Sequence, residues 1–329
     1  MTGIAATVQA FFTERLINQR QSSPATIAAY RDATRMLLQF TAGHTGKPCH
    51  LLEFDDLTAP TVSMFLDHLE HDRENCVRTR NARLAAIHSL FAFAALHHPE
   101  HAADIQRVLA IPTKRGDRTI ITYLTDKEVQ ALLGAPDRST RTGRRDHAIL
   151  YLAIQTGLRA SELISMRRSD VHFGTGAYVN CLGKGRKNRI TPLTAITCTV
   201  LRDWMNEQPT TPDGRLFTTN RGGALSPDAL AQRVTLHAAT AASNCDSLTG
   251  KRVTPHVLRH TAAMRLLHAG VDTTVIALWL GHESVATTGI YLHADLEFKQ
   301  RALDKTTPTT TAPGRYHPTD PLITFLEAL

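Results

Sequence analysis

TPHVLRHTAAMRLLHAGVDTTVIALWLG, residues 254–281, reads as two consecutive helices with their start and stop signals in place. Thr254 serves as the cap and Pro255 as the first helical residue, with His256 and Arg259 as i, i+3 neighbours on one face. A helix N-terminus carrying a histidine and an arginine together favours an anion. Working back from it, RRDHAILYLAIQTG (144–157) is a helix stopped by Gly157, and ASELISMRRSDV (160–171) continues as another. AYVNCLGKGRKNRITPL (177–193) alternates into two short strands around a Gly/Lys/Arg turn, a hairpin signal. This half of the chain is mainly α with a small β-sheet.

The first ~110 residues read as all-helical. SSPATIAAYRDATRMLLQF (22–40) opens with Ser23 as cap and Pro24 at the first helical position. Ile27, Tyr30, Thr34, Leu37 and Leu38 then share one face. Two further helices read from TAPTVSMFLDHLEHD (58–72) and RTRNARLAAIHSLFAFAALHH (78–98). The second of these is basic at its start, with Arg78, Arg80 and Arg83, either a solvated first turn or a surface laid against phosphates. Pro112, Gly116 and the basic residues of IPTKRGDRTII (111–121), Lys114 and Arg115 among them, have linker composition and a charge suited to a DNA backbone. TTPTTTAPGRYHPTDP (306–321) is a Thr/Pro-rich tether leading to LITFLEAL (322–329), an apolar segment too short to be stable as a lone helix. It either packs on its own domain or docks on a neighbouring subunit, and the tether favours docking. The expected organisation is a helical domain over 1–111, a basic linker over 112–120, a second domain over 121–305, and the tether and short helix over 306–329.

Composition bounds the function loosely. The formal charge of +7 and the pI near 9.3 suit a polyanionic partner. Five cysteines, widely spaced and without a C-x-x-C pair, point to reduced thiols in a cytosol. No apolar stretch is long enough to span a bilayer, and MTGIAATVQAFFTERL at the start reads as an amphipathic helix, so a soluble intracellular protein is expected.

Four segments carry groups that suit a phosphate. Arg159 follows the glycine turn in TGLRASEL (156–163), Lys184 sits between glycines at the hairpin tip in GKGRKNR (183–189), His256 and Arg259 share TPHVLRH (254–260), and His282 lies in the LGHES turn (280–284). Tyr291 follows in TTGIYLHAD (287–295). Singly, each has an ordinary structural explanation. Together, in the order R, K, HxxR, H, Y, chance is a poor account of them. HHPEH (97–101) superficially resembles a metal site but lacks a completing cysteine or carboxylate, and no acidic cluster suggests paired metal ions. No metal and no cofactor are expected.

The boxes TGLRASEL, GKGRKNR, HVLRHTAAMRLLHAG and LGHESVATTGIYLHA resemble those of the tyrosine recombinases, also called the phage integrase family. The first domain is similar, less specifically, to that family's SAM-like core-DNA-binding domain. The resemblance implies Tyr291 as nucleophile, Arg159 and Arg259 as phosphate clamp, Lys184 as acid, and His256 and His282 supporting proton transfer and hydrogen bonding. Glu162, three residues after Arg159, would orient that arginine. Arg78, Arg80, Arg83, Lys114, Arg115, Arg186 and Lys187 would contact DNA.

The chemistry follows from charge. Attack on a phosphodiester concentrates negative charge on the non-bridging oxygens, which planar guanidiniums bind with paired hydrogen bonds that lysine cannot copy. A tyrosine hydroxyl, with an unperturbed pKa near ~10, needs a base and a cationic field at neutral pH. The expected function is a site-specific recombinase forming a 3′-phosphotyrosyl intermediate. It would act as a homotetramer on double-stranded DNA with inverted-repeat core sites, with room for a second recombinase, in the bacterial cytoplasm on the nucleoid and away from membranes. A type IB topoisomerase, relaxing supercoils as a monomer, shares the chemistry. A non-catalytic DNA-binding protein of the same fold is the alternative from another class, and the six filled positions argue against it.

Overall fold

A computed structural model describes residues 3–116, 121–183, 188–207, 214–281, 288 and 291. Lys184, Arg186, Lys187, His282 and the 306–329 tail lie outside these residues. The chain divides into two compact units, Met1–Thr119 and Ile120–Leu329.

The first unit contains α1 (Gly3–Ala10), continued through wider π-type turns over Phe11–Gln19, then α2 (Pro24–Thr45), α3 (Ala59–His71), α4 (Val77–Ala94) and α5 (Ala102–Leu109). Ser23 caps α2 by accepting the Thr26 amide at 3.2 Å, and Pro24 takes the first turn, where its missing N–H costs nothing. Thr58 caps α3 in the same way. Leu37, Phe65, Leu66, Leu69, Leu84, Ile87, Phe91 and Ile105 close the core, each worth about 1.5–3 kcal/mol when fully buried.

The basic start of α4 divides in its role. Arg78 is exposed. Arg80 is buried, donating to Asn81 and to the Pro112 carbonyl, both at 3.1 Å. The reading of Arg80 as a phosphate contact is therefore corrected: its guanidinium holds the chain after α5 against α4. Arg83 is half-buried and reaches the Ala29 carbonyl at 3.4 Å. The Lys114 ammonium pairs with Glu70, its backbone amide donates to Asn81 Oδ1 at 3.1 Å, and Arg115 is exposed. In the HHPEH stretch, His98 bonds Thr7 at 2.6 Å and Glu100 at 3.0 Å, and His101 pairs with Asp55. Among the described residues no cluster of histidine, cysteine or carboxylate groups is arranged to hold a metal.

The second unit contains α6 (Asp126–Gly134), α7 (Arg141–Thr156), α8 (Ala160–Ser165), strands β1 (Val171–His172), β2 (Tyr178–Leu182) and β3 (Asn188–Pro192), then α9 (Ala195–Asn206), α10 (Pro227–Ala242), α11 (Pro255–His268) and α12 (Thr273–Leu280). The strands form an antiparallel sheet in the order β1-β2-β3, with Cys181 opposite Arg189 and Val179 opposite Thr191. Helix α7 is buried on nearly every side and packs against α6, α9 and α11, as a central helix must. Its Asp146 is fixed by Arg145 from the same helix and by Arg233 and His237 of α10. Burial alone would push the Asp146 carboxyl up, but these donors outweigh it and hold it low.

Two points differ from the sequence reading. The helix expected over 160–171 stops at Ser165, because Met166 turns extended and its carbonyl accepts the Leu216 amide at 2.8 Å. Arg167 then bridges to Arg215, a long-range pairing no local pattern discloses. The hairpin expected over 177–193 gains a third strand, β1. All five cysteines are free, and no helix of the described residues is long and apolar enough to cross a membrane.

Candidate active site

Two helix ends frame the site. α7 stops at Gly157 and α12 at Gly281, both left-handed at φ +65°. A left-handed glycine just past a helix ends it while leaving carbonyls of the last turn available to other donors. Arg259, on α11 and 4% exposed, donates from Nη1 to the Gly157 carbonyl at 2.7 Å and from Nη2 to the Leu280 carbonyl at 2.8 Å. Arg159, the cap of α8, donates from Nη2 to the Gly281 carbonyl at 2.9 Å. Both guanidiniums are thus hung on the negative ends of two helices, which offsets part of the repulsion between them.

Burial first, and the like charge of Arg159 second, push the Arg259 guanidinium down to about 10, so it remains cationic at neutral pH. The counter-charge is Glu162. Its Oε2 accepts the Arg159 amide at 2.7 Å and its Oε1 accepts Arg159 Nη1 at 2.9 Å. Arg189 of β3 donates to the same carboxylate, Nη2 to Oε2 at 2.9 Å. Burial would raise the Glu162 pKa, but the Arg159 amide and the two guanidiniums hold it below the usual range. One carboxylate therefore orients Arg159 and ties β3 to the same place.

Tyr291 is 2% exposed, packed with Ala263, Met264 and Leu267 of α11 and Ile276 and Leu280 of α12. Burial raises its pKa above the ordinary phenol value, and the charge of Arg259 offsets this only in part. Its hydroxyl lies 3.1 Å from Nδ1 of His260. The His260 ring in turn meets His256, one turn earlier on α11, edge to face at 4.2 Å between centroids. Arg159, Glu162, Arg259, His256 and Tyr291 are all described and are linked through these contacts. Lys184 and His282 lie outside the described residues.

The sequence reading passed over Arg189 and His260, although both stand inside quoted motifs. Each had a signal. Arg189 falls at the inward position opposite Cys181 in a strand alternation, where a buried arginine needs a carboxylate. His260 is four residues after His256 and so lies above it on the helix.

The frame also makes a stability prediction. A Cβ on Gly157 would stand 2.5 Å from Leu280 Cδ2 and 3.1 Å from Ala262 Cβ, with the backbone still required at positive φ. Leu280 is fully buried and cannot swing away. Gly157→Ala is expected to cost about 1–3 kcal/mol. A thermal melt should show the midpoint falling by roughly 2–12 °C.

Residues 122–297 match the model of the phage integrase family, and residues 10–98 match that of the phage integrase N-terminal SAM-like domain. The chain belongs to the phage integrase family. It is 52% identical to the integrase/recombinase y4rC of Sinorhizobium fredii over 99% of this chain and 98% of that one. It is 30% identical to the tyrosine recombinase XerC of Chlamydia muridarum over 90% of this chain and 96% of that one. The fold is similar to the XerH site-specific recombinase bound to palindromic difH substrate in a post-cleavage complex, with a TM-score of 0.67 at 20% identity, covering 87% of this chain and 81% of that one. The Tn1549 transposon integrase in complex with a circular intermediate DNA gives 0.67 at 15% identity, covering 91% and 99%. As a family member the chain is a site-specific DNA recombinase of the tyrosine type.

Proposed function

We propose that this recombinase cuts each DNA strand by in-line attack of Tyr291 Oη on a phosphodiester, forming a 3′-phosphotyrosyl bond and releasing a 5′-hydroxyl. Arg159 and Arg259 neutralise the non-bridging oxygens, Lys184 protonates the departing 5′-oxygen, and His256 and His282 donate hydrogen bonds to the phosphate. The observation that carries this reading is the pair of guanidiniums hung on the ends of α7 and α12, with Tyr291 packed between α11 and α12. The covalent bond conserves the energy of the bond broken, so rejoining to a new strand requires neither ATP nor a metal.

Two such exchanges through a four-way junction complete recombination. The active assembly is a homotetramer on inverted-repeat core sites in double-stranded DNA, working on the bacterial nucleoid. Exposed Arg78 and Arg115, with Arg186 and Lys187, are the proposed backbone contacts. The exposed positions are those whose charge phosphates can reach. The direct test is a duplex nicked next to the cleavage position. The short fragment carrying the 5′-hydroxyl diffuses away, so the reverse reaction fails and a covalent protein–DNA species accumulates on a denaturing gel. Its absence with the chain's own flanking inverted repeats would overturn the reading.

The apolar end of the chain, 322–329, is proposed to dock on a neighbouring subunit through the 306–321 tether. Tethered docking raises effective concentration without new DNA contacts. Deleting 321–329 should therefore lower recombination by about tenfold or more while leaving single-duplex binding close to wild type. Unchanged recombination, measured with paired sites on one plasmid, returns the segment to packing on its own domain.

A further inference from the structure

The geometry points to His260 as the group that accepts the proton of the attacking tyrosine, through the direct Nδ1–Oη contact that the two side chains make across α11. The inference rests on Tyr291 being the nucleophile. A general base must lie within hydrogen-bond reach of the proton it takes, and at 3.1 Å His260 Nδ1 does. Need and means meet here. The hydroxyl is buried among Met264, Leu267, Ile276 and Leu280, where a phenolate is disfavoured before attack begins. The proton must therefore leave as the bond to phosphorus forms, to an acceptor already in place.

His256 settles which imidazole plays the part. The rings are 4.2 Å apart, too close for both to carry a positive charge without mutual cost. His256 sits exposed on the first turn of α11, and His260 is half-buried behind it. The ring that touches the Tyr291 hydroxyl, His260, takes the accepting role. In the Nε2–H tautomer its Nδ1 lone pair faces Tyr291. On attack, the Oη–P bond forms as the Oη proton moves to His260 Nδ1; the P–O5′ bond breaks, and the 5′-oxygen takes a proton from Lys184. Rejoining runs the same transfers backward, with His260 returning the proton to Tyr291.

The test uses the full chain on the nicked duplex, under single turnover, with two substrates. One carries the natural 5′-oxygen at the scissile position and the other a bridging 5′-sulfur, a leaving group that needs no protonation. His260→Asn keeps a polar atom near the Nδ1 position but cannot take up a proton, and His260→Ala removes the ring. Both variants should bind the duplex within about twofold of wild type, yet form adduct about 10²–10⁴-fold more slowly on both substrates. Added imidazole should restore part of the rate to His260→Ala. A Lys184→Ala control should recover on the sulfur substrate, since only its leaving-group role is bypassed.

Three outcomes overturn the inference. Adduct formation near the wild-type rate in both variants removes His260 from the chemistry. Recovery of the variants on the sulfur substrate moves it to the leaving group. Loss of DNA binding in step with loss of cleavage, with no imidazole rescue, makes it a packing residue. The underlying assignment fails separately: adducts formed by Tyr291→Phe would remove the nucleophile itself, whatever the His260 variants do.

Discussion

Tyr291→Phe is expected to form no covalent adduct with nicked DNA, a loss on the order of 10⁶-fold, the scale seen when an enzyme's nucleophile is deleted. The substitution is mild for the fold. The ring is what fills the space between α11 and α12, and phenylalanine keeps it. The bond to His260 is lost, at a net cost of about 0.5–1.5 kcal/mol. DNA binding should survive, because it draws on phosphate contacts made by cations elsewhere. The measurement is therefore paired: a gel shift for binding beside a denaturing gel for the adduct. Persisting adducts would place the nucleophile elsewhere, and Tyr316 is the first residue to examine.

The second large effect is expected at the clamp. Arg259→Lys and Arg159→Lys should each slow cleavage by about 10²–10³-fold, the typical consequence of removing an electrostatic donor from a developing negative charge. The structure gives the reason that charge alone does not suffice. Arg259 spends two of its N–H groups on the Gly157 and Leu280 carbonyls, and the planar fork is what leaves further donors pointing elsewhere. A lysine ammonium cannot bridge both carbonyls and also address a phosphate. Arg259→Ala should add instability, because two buried carbonyls lose their donors at about 1–3 kcal/mol each. The lysine series, with a thermal melt alongside, separates the two effects. Wild-type cleavage rates in either lysine variant would sink the clamp assignment. Because Arg259 titrates only near 10, no loss of its charge is expected anywhere in the neutral range.

Much of the local architecture is legible in the sequence. Ser23 with Pro24, Thr254 with Pro255, and Gly157 mark helix limits that recur in the structure, because capping depends on one residue and the three or four that follow it. Tertiary pairing was not legible in the same way. ASELISMRRSDV has a helical pattern throughout, yet its second half is drawn out by Leu216 and Arg215, some fifty residues away. Arg80 looked like a surface cation in a basic turn, and only the returning chain at Pro112 shows why it is buried.

The same division runs through the candidate site. The order of motifs from Arg159 to Tyr291 was determined by the sequence itself, since residue identity and spacing are all that such an order requires. What those residues touch was decided by the tertiary structure. Arg159 meets Gly281 across 122 positions, Arg259 meets Gly157 across 102, and Tyr291 meets His260 across 31. A hydrogen bond between such distant residues depends on where three helices end and how they pack, which no local periodicity encodes. That is why Tyr291 could be singled out from its motif, while the histidine beside its hydroxyl could be found only once α11 was folded against it.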